Sequence, residues 1–278
     1  MTLTLQSGAW KAELRPEIGG CIASLTRDGV EVLRTMPAGS AEPLESACIP
    51  LVPYCNRIRD ARFAWEGREI RLPANFLPET SSLHGLGWQR PWAVTREAGF
   101  KCSLAHSHDG SGGWPWAYEA EQRVRLGPQG LAITLDLTNL ADSAMPCGLG
   151  LHPYLRRHPE SQVAFTVGAM LEVDESLIPT GMTTPASEWS GGRSLPDRTI
   201  DHCLAGWDGV ARTTDDLGSI TVRARGGRFL HLYAPADGSA LCLEPVSHQP
   251  DALNSAPGQM IVLPPGCTAS LTMWISAD

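Results

Sequence analysis

Nowhere in its 278 residues does this chain carry an apolar run approaching the roughly 20 residues that a membrane-spanning helix needs. The start, M-T-L-T-L-Q-S-G-A-W-K-A-E-L-R, has neither the basic region nor the apolar block of a secretory signal, so the sequence points to a cytoplasmic protein with no membrane partner. Basic residues are in the minority, 22 Lys and Arg against 30 Asp and Glu, for a formal net charge of −8. Nucleic acid and anionic membranes are bound chiefly by Lys and Arg that neutralise phosphate, so neither is expected as a partner. The phosphate-cradling G-x-x-x-x-G-K-[ST], the dinucleotide-binding G-x-G-x-x-G and the G-x-S-x-G of serine hydrolases are all missing. There are eight cysteines but no C-x-x-C pair and no zinc-finger spacing. Several sit in apolar runs and read as reduced, buried, small hydrophobes. His106 and His108 in A-H-S-H-D share a strand face, but two histidines without a third ligand make a poor metal site. Neither metal nor cofactor is expected.

Long helices are also short of room, because 28 glycines and 22 prolines punctuate the chain. The longest stretch free of both, Leu131 to Met145, places Leu131, Ile133, Leu135 and Leu137 at every second position, which is strand periodicity. Before it, A-Y-E-A-E-Q-R-V-R-L puts Tyr118, Ala120, Gln122, Val124 and Leu126 on one face and charged residues on the other. The intervening G-P-Q-G makes the two runs a hairpin. Further tight turns are expected at Glu66-Gly67 and Asp237-Gly238. With 42% hydrophobic and 19% charged residues and no linker or repeat, the chain reads as one all-β domain spanning 1–278, an antiparallel sandwich or barrel.

Against this background a few polar residues sit in odd settings. L-C-L-E-P ends an apolar run on Glu244, on the face it shares with Cys242, and Pro245, which has no N–H to donate, is expected to stop the strand there. Asn56 and Arg57 stand beside Ile58 in Y-C-N-R-I; His84 precedes a glycine in S-L-H-G-L-G-W; His152 lies in G-L-G-L-H-P-Y-L; Asp201 lies in T-I-D-H-C-L. Taken singly, each has a plain reading: a solvated charge, a capping aspartate, or a core histidine bonded to a carbonyl.

As an ordered set, N-R-I, L-H-G, G-L-H-P-Y, V-D-E-S-L-I-P-T-G (Val173 to Gly181) and L-E-P resemble the aldose 1-epimerase family, from about Asn56 to the L-P-P-G near the end. The resemblance implies a large antiparallel β-supersandwich of the galactose mutarotase-like kind, and interconversion of the α and β anomers of a free aldose such as glucose or galactose. It implies Glu244 as general base and His152 as general acid, with Arg57, Asn56, His84 and Asp201 binding the sugar and supporting the acid. A free glutamate is ionised at neutral pH, and a histidine is partly protonated there, the more so beside carboxylates. Trp65, Trp88 and Tyr154 are candidates for packing on a sugar ring. Arg59 and the Arg156-Arg157 pair raise a second enzyme reading, a hexose-6-phosphate mutarotase, since guanidinium suits phosphate. A third reading is a carbohydrate-binding sandwich without catalysis, which would need no Glu–His pair. His248, just after the presumed base, has no assigned role.

Overall fold

Two large antiparallel sheets take up the alternating runs in the computed structural model, which describes residues 1–278. The first has eleven strands. Its path runs Leu3–Ser7, Trp10–Arg15, Cys21–Arg27, Cys48–Leu51, Gly150–Pro153, Cys242–Val246, Phe229–Ala234, Ile200–Ala205, Ala169–Val173 and Pro179–Pro185, and Val30–Leu33 pairs to one side with Cys21–Arg27. The second has nine, centred on the hairpin Ala117–Gly127 with Gly130–Asn139 and on the long strand Thr268–Ala277. The galactose mutarotase-like supersandwich expected from the sequence is the fold observed. No helix is long and apolar enough to cross a membrane.

The sheets enclose a core of 57 buried apolar residues. Ala12, Leu14 and Leu25 enter from the first sheet and Leu104, Val124, Ile133 and Leu135 from the second. Gln122, the polar member of its hairpin's inward face, is buried because its Nε2 donates to Gly20 O at 2.7 Å.

The first sheet has a second working face. Leu151, Leu230, Leu232, Leu241 and Leu243 point into the main core. Their neighbours at alternate positions, His152, His231 and Glu244, therefore point the other way, beside a separate apolar cluster that includes Ile49, Leu51, Cys203 and Val246. A one-residue slip of Cys242–Val246 would bury Glu244 among leucines and expose Leu243, worth about 1.5–3 kcal/mol of burial on its own.

Local expectations fare unevenly. Glu66 and Gly67 both have positive φ (48° and 77°), as a two-residue turn requires. The Asp237-Gly238 connection is wider than the expected tight hairpin: Tyr233 pairs with Cys242, and Gly238 N–H folds back onto Pro235 O at 3.1 Å. Pro245 does not end its strand but pairs in register with Leu230. On the other side, the strand is bridged to the neighbouring run only at its ends, Gly150 with Val246 and Tyr154 with Cys242, so the sheet between them tolerates a residue that donates no bond. All eight cysteines are free thiols; seven are buried as expected, while Cys267, in the turn before Thr268–Ala277, is exposed.

Candidate functional site

The separated motifs converge on one cavity of about 320 Å³. N-R-I and L-H-G meet directly, because Arg57–Ile58 pairs with Ser82–Leu83. At their ends Asn56 (φ 57°) and His84 (φ 58°) adopt the left-handed conformation that turns both side chains toward the sheet. Gly85 is obligatory next door: at φ 72°, a Cβ would lie 2.1 Å from Val52 O. Asn56 N–H donates to His84 Nδ1 (3.1 Å), which fixes the neutral imidazole with its hydrogen on Nε2. Burial pushes the His84 imidazole well below its usual range, with His152 and Arg57 adding repulsion.

Three adjacent strands supply the cavity floor. His231 pairs in register with Glu244, and Cys203 pairs with His231, so Glu244, His231 and Asp201 come from successive strands onto one face. His152 enters from the far side of Glu244, its Nε2 3.4 Å from Glu244 Oε1. Three buried polar atoms in this group have no hydrogen-bond partner: His152 Nδ1, His231 Nδ1 and Glu244 Oε2. A buried unpaired polar atom costs about 1–3 kcal/mol, so each of these atoms has a hydrogen bond to offer a polar group in the cavity.

The electrostatics reverse the sequence expectation for the first pair. Burial raises the Glu244 carboxyl to about 8, against the opposing pull of the His231 charge. Burial likewise drives His152 down to about 3, despite the Asp201 charge nearby. At neutral pH the pair thus shares a single proton, held by the carboxyl. His231 is the opposite case. Although burial works against it, the Glu244 charge and the Asp201 hydrogen bond hold it well above the ordinary histidine range. Its Nε2 lies 2.7 Å from Asp201 Oδ1, and the Asp201 carboxyl is lowered in return by that hydrogen bond, against its own burial.

Every predicted site residue faces this cavity: Glu244, His152, Arg57, Asn56, His84 and Asp201. Arg57 is anchored by two bonds. Its Nε and Nη2 donate to the two Glu79 oxygens (2.8 and 2.9 Å), and Nη1 lies 4.0 Å from Asp201 Oδ2. The other arginines lie elsewhere. Arg156 forms a bidentate pair with Asp215, Arg157 donates to Pro235 O and Ala240 O, and Arg59 pairs with Asp174 at 2.5 Å. That last contact explains a distinctive motif. In V-D-E-S-L-I-P-T-G, Asp174 accepts from Ser176 N–H and Ile178 N–H, and the loop so formed sets Leu177 (φ 60°) on the cavity wall.

The aromatic candidates need correction. Tyr154 lines the cavity, but its ring is sandwiched by His152 (4.5 Å, near-parallel) and the Arg34 guanidinium (3.5 Å), so neither face is open. Trp88 is buried behind His84, and Trp65 packs on Trp116. The apolar wall is made instead by Phe76, Leu177 and Tyr233. His106 and His108 are also satisfied without metal: His106 Nε2 contacts Tyr118 OH (3.3 Å) and His108 Nε2 donates to Trp114 O (2.8 Å). The one cluster with metal-like spacing is His152, Cys242 and Glu244, whose ligand atoms lie within 4.8 Å of one another.

His248 proves to be a brace. Its Nε2 accepts from Cys55 N–H (3.1 Å), its Nδ1 donates to Gln249 O (2.7 Å), and its ring fills the space over Gly148. Burial lowers it to about 4, so it stays neutral. His248→Ala leaves Cys55 N–H unpaired and is expected to cost about 1–3 kcal/mol, read as a lower urea midpoint with an unchanged slope. An unchanged midpoint would remove this role.

Comparison with known proteins agrees with the geometry. The sequence model of one family, aldose 1-epimerase, matches residues 1–276. An uncharacterised protein of Escherichia coli K12, YphB, is 30% identical over 99% of this chain and 98% of its own length. Galactose mutarotase of Mus musculus is 26% identical over 79% of this chain and 75% of its own. A galactose mutarotase-like protein from Clostridium acetobutylicum superposes with a TM-score of 0.89 at 17% identity, covering 100% of this chain and 95% of that one, which shows a shared fold.

Proposed function

The chain belongs to the aldose 1-epimerase family, and from that premise we propose that it is a mutarotase acting on an uncharged free aldose. The observation that carries the proposal is the buried Glu244–His152 pair, 3.4 Å apart, with Oε2 and Nδ1 unpartnered on a cavity wall.

The chemistry follows from that pair. Sugar hydroxyls entering the cavity solvate the carboxylate and favour moving the shared proton from Glu244 to His152. Glu244 then takes the proton of the anomeric hydroxyl as that oxygen becomes the aldehyde carbonyl. The C1–ring-oxygen bond breaks, its electron pair stays on the ring oxygen, and His152 protonates that oxygen. Rotation about C1–C2 and closure by the reverse transfers give the other anomer. Each positioned acid or base contributes typically ~10²–10⁴-fold. Arg57, Asp201, His84 and Asn56 surround the ring as hydroxyl partners. No electron is transferred to an acceptor, so the step balances without a redox partner.

Substrate charge is the second part of the reading. No guanidinium in the cavity is without a carboxylate, since Arg57 is bound twice to Glu79 and its Nη1 faces Asp201, whose charge would repel a phosphate. Polarimetry of fresh α-D-glucose and α-D-galactose is expected to show accelerated approach to equilibrium, with glucose 6-phosphate neither turned over faster nor competing. Tighter competition by the phosphate would favour a hexose-6-phosphate mutarotase. No acceleration with any sugar, alongside measurable binding, would favour a carbohydrate-binding sandwich.

A further inference from the structure

One residue of the cavity has no part in the two-residue mechanism. His231 lies between the base and Asp201, its Nε2 bound to Asp201 Oδ1 at 2.7 Å and 3.5 Å from Asn56 Nδ2. Its Nδ1 is buried, and its one neighbour is the Cys203 thiol, a weak acceptor too poorly placed for a full hydrogen bond. Directly opposite, Glu244 presents an unpartnered Oε2. One hydroxyl group placed between them would serve both atoms, donating to Oε2 and accepting from Nδ1–H. In the mutarotase reading, the hydroxyl that must donate to Glu244 is the anomeric one.

We infer that His231 is a third catalytic residue, donating from Nδ1 to the anomeric oxygen while Glu244 removes that oxygen's proton. It rests on the mutarotase reading and adds two functions to it. The imidazolium fixes the anomeric oxygen on the line of Glu244, and it offsets the negative charge that gathers on that oxygen as its proton leaves. Asp201 positions the ring through Nε2, and the Glu244 charge together with that hydrogen bond favours its charged form. The groups facing His231 are Asp201, Cys203 and Glu244, with Arg57, His84 and His152 farther round the cavity.

The test compares wild type with His231→Gln by polarimetry across pH, beside ¹⁵N NMR of histidine-labelled wild type. Removing one donor from a charge-stabilising site costs about 10²–10³-fold in kcat, and a loss in that range with a smaller change in KM is expected. The wild-type rate should fall above about pH 8, as the pair loses its shared proton. In the variant that fall moves to higher pH, because the charge holding Glu244 down is gone. One of the eight histidines should titrate above the others and keep both ring protons where they have lost theirs, and its Nδ1 resonance should move when glucose saturates the protein. An active wild type with a variant kcat within threefold overturns the His231 assignment alone. If the variant does not fold, the NMR decides: no histidine that titrates above the rest, or none of that kind that responds to sugar, overturns it. A wild type inert toward every sugar overturns the mutarotase reading and this role with it.

Discussion

Glu244→Gln is expected to abolish most catalysed mutarotation, a loss of about 10²–10⁴-fold in kcat, with sugar affinity largely kept. Glutamine preserves the shape and one acceptor oxygen but cannot hold the transferred proton. The same change should stabilise the fold in alkali. The folded carboxyl titrates at about 8 against an ordinary value of 4.5. Protonation therefore favours the folded state, and the contribution is fully present below about pH 4.5 and lost as pH rises through 8. Glutamine has no proton to lose. At pH 9 the variant should melt a few degrees above wild type, and at pH 4 the two should coincide. Full activity in Glu244→Gln would sink the assignment of the base. A melting difference that does not change between pH 4 and pH 9 would show that burial does not raise this carboxyl.

The largest effect on stability is expected far from the sugar. Arg156 and Asp215 are 7% and 1% exposed, joined by two bonds of 2.8 and 2.7 Å, while Arg156 Nη1 donates to Glu31 O at 2.7 Å. Asp215 belongs to the nine-stranded sheet and Glu31 to the eleven-stranded one, so a single guanidinium ties the two together. Arg156→Met strands a buried carboxylate and should cost about 3–5 kcal/mol. Adding Asp215→Asn should recover much of that, because the uncompensated charge disappears. Urea unfolding of the two variants measures both steps, and KM for glucose in the folded fraction should not change. A tenfold rise in KM with normal stability would instead place Arg156 at the substrate.

How far these features were legible in the chain follows from the physics of each. Alternation gave the all-β class and the outward face of Glu244, because strand parity is local. The ordered motifs located His152, Arg57, Asn56, His84 and Asp201. His231 left a trace of the same kind as Glu244, a lone polar residue among leucines in F-L-H-L-Y-A. Its meaning depends on register across a connection wider than the Asp237-Gly238 turn suggested, so the trace could not be read. The proton balance was illegible for a different reason. Ionised glutamate and half-protonated histidine are the behaviour of these groups in water, and both residues lie where water does not reach. The arginines were misleading because nearness to a motif in the chain says nothing of their partners, which come from other strands.

The thin seam between Gly150–Pro153 and Cys242–Val246 has a consequence in time as well as space. These strands lie far apart along the chain and are bridged at their ends, Gly150 with Val246 and Tyr154 with Cys242, so the proposed proton-transfer pair comes together only when a long loop has closed. Pairings of such long range form slowly, on the scale of milliseconds to seconds for β-rich chains. Strand content and core burial can be regained on refolding while the seam is still open. In the mutarotase reading, returning activity would then mark closure of this seam, which makes the rate of sugar equilibration a clock for that step of folding.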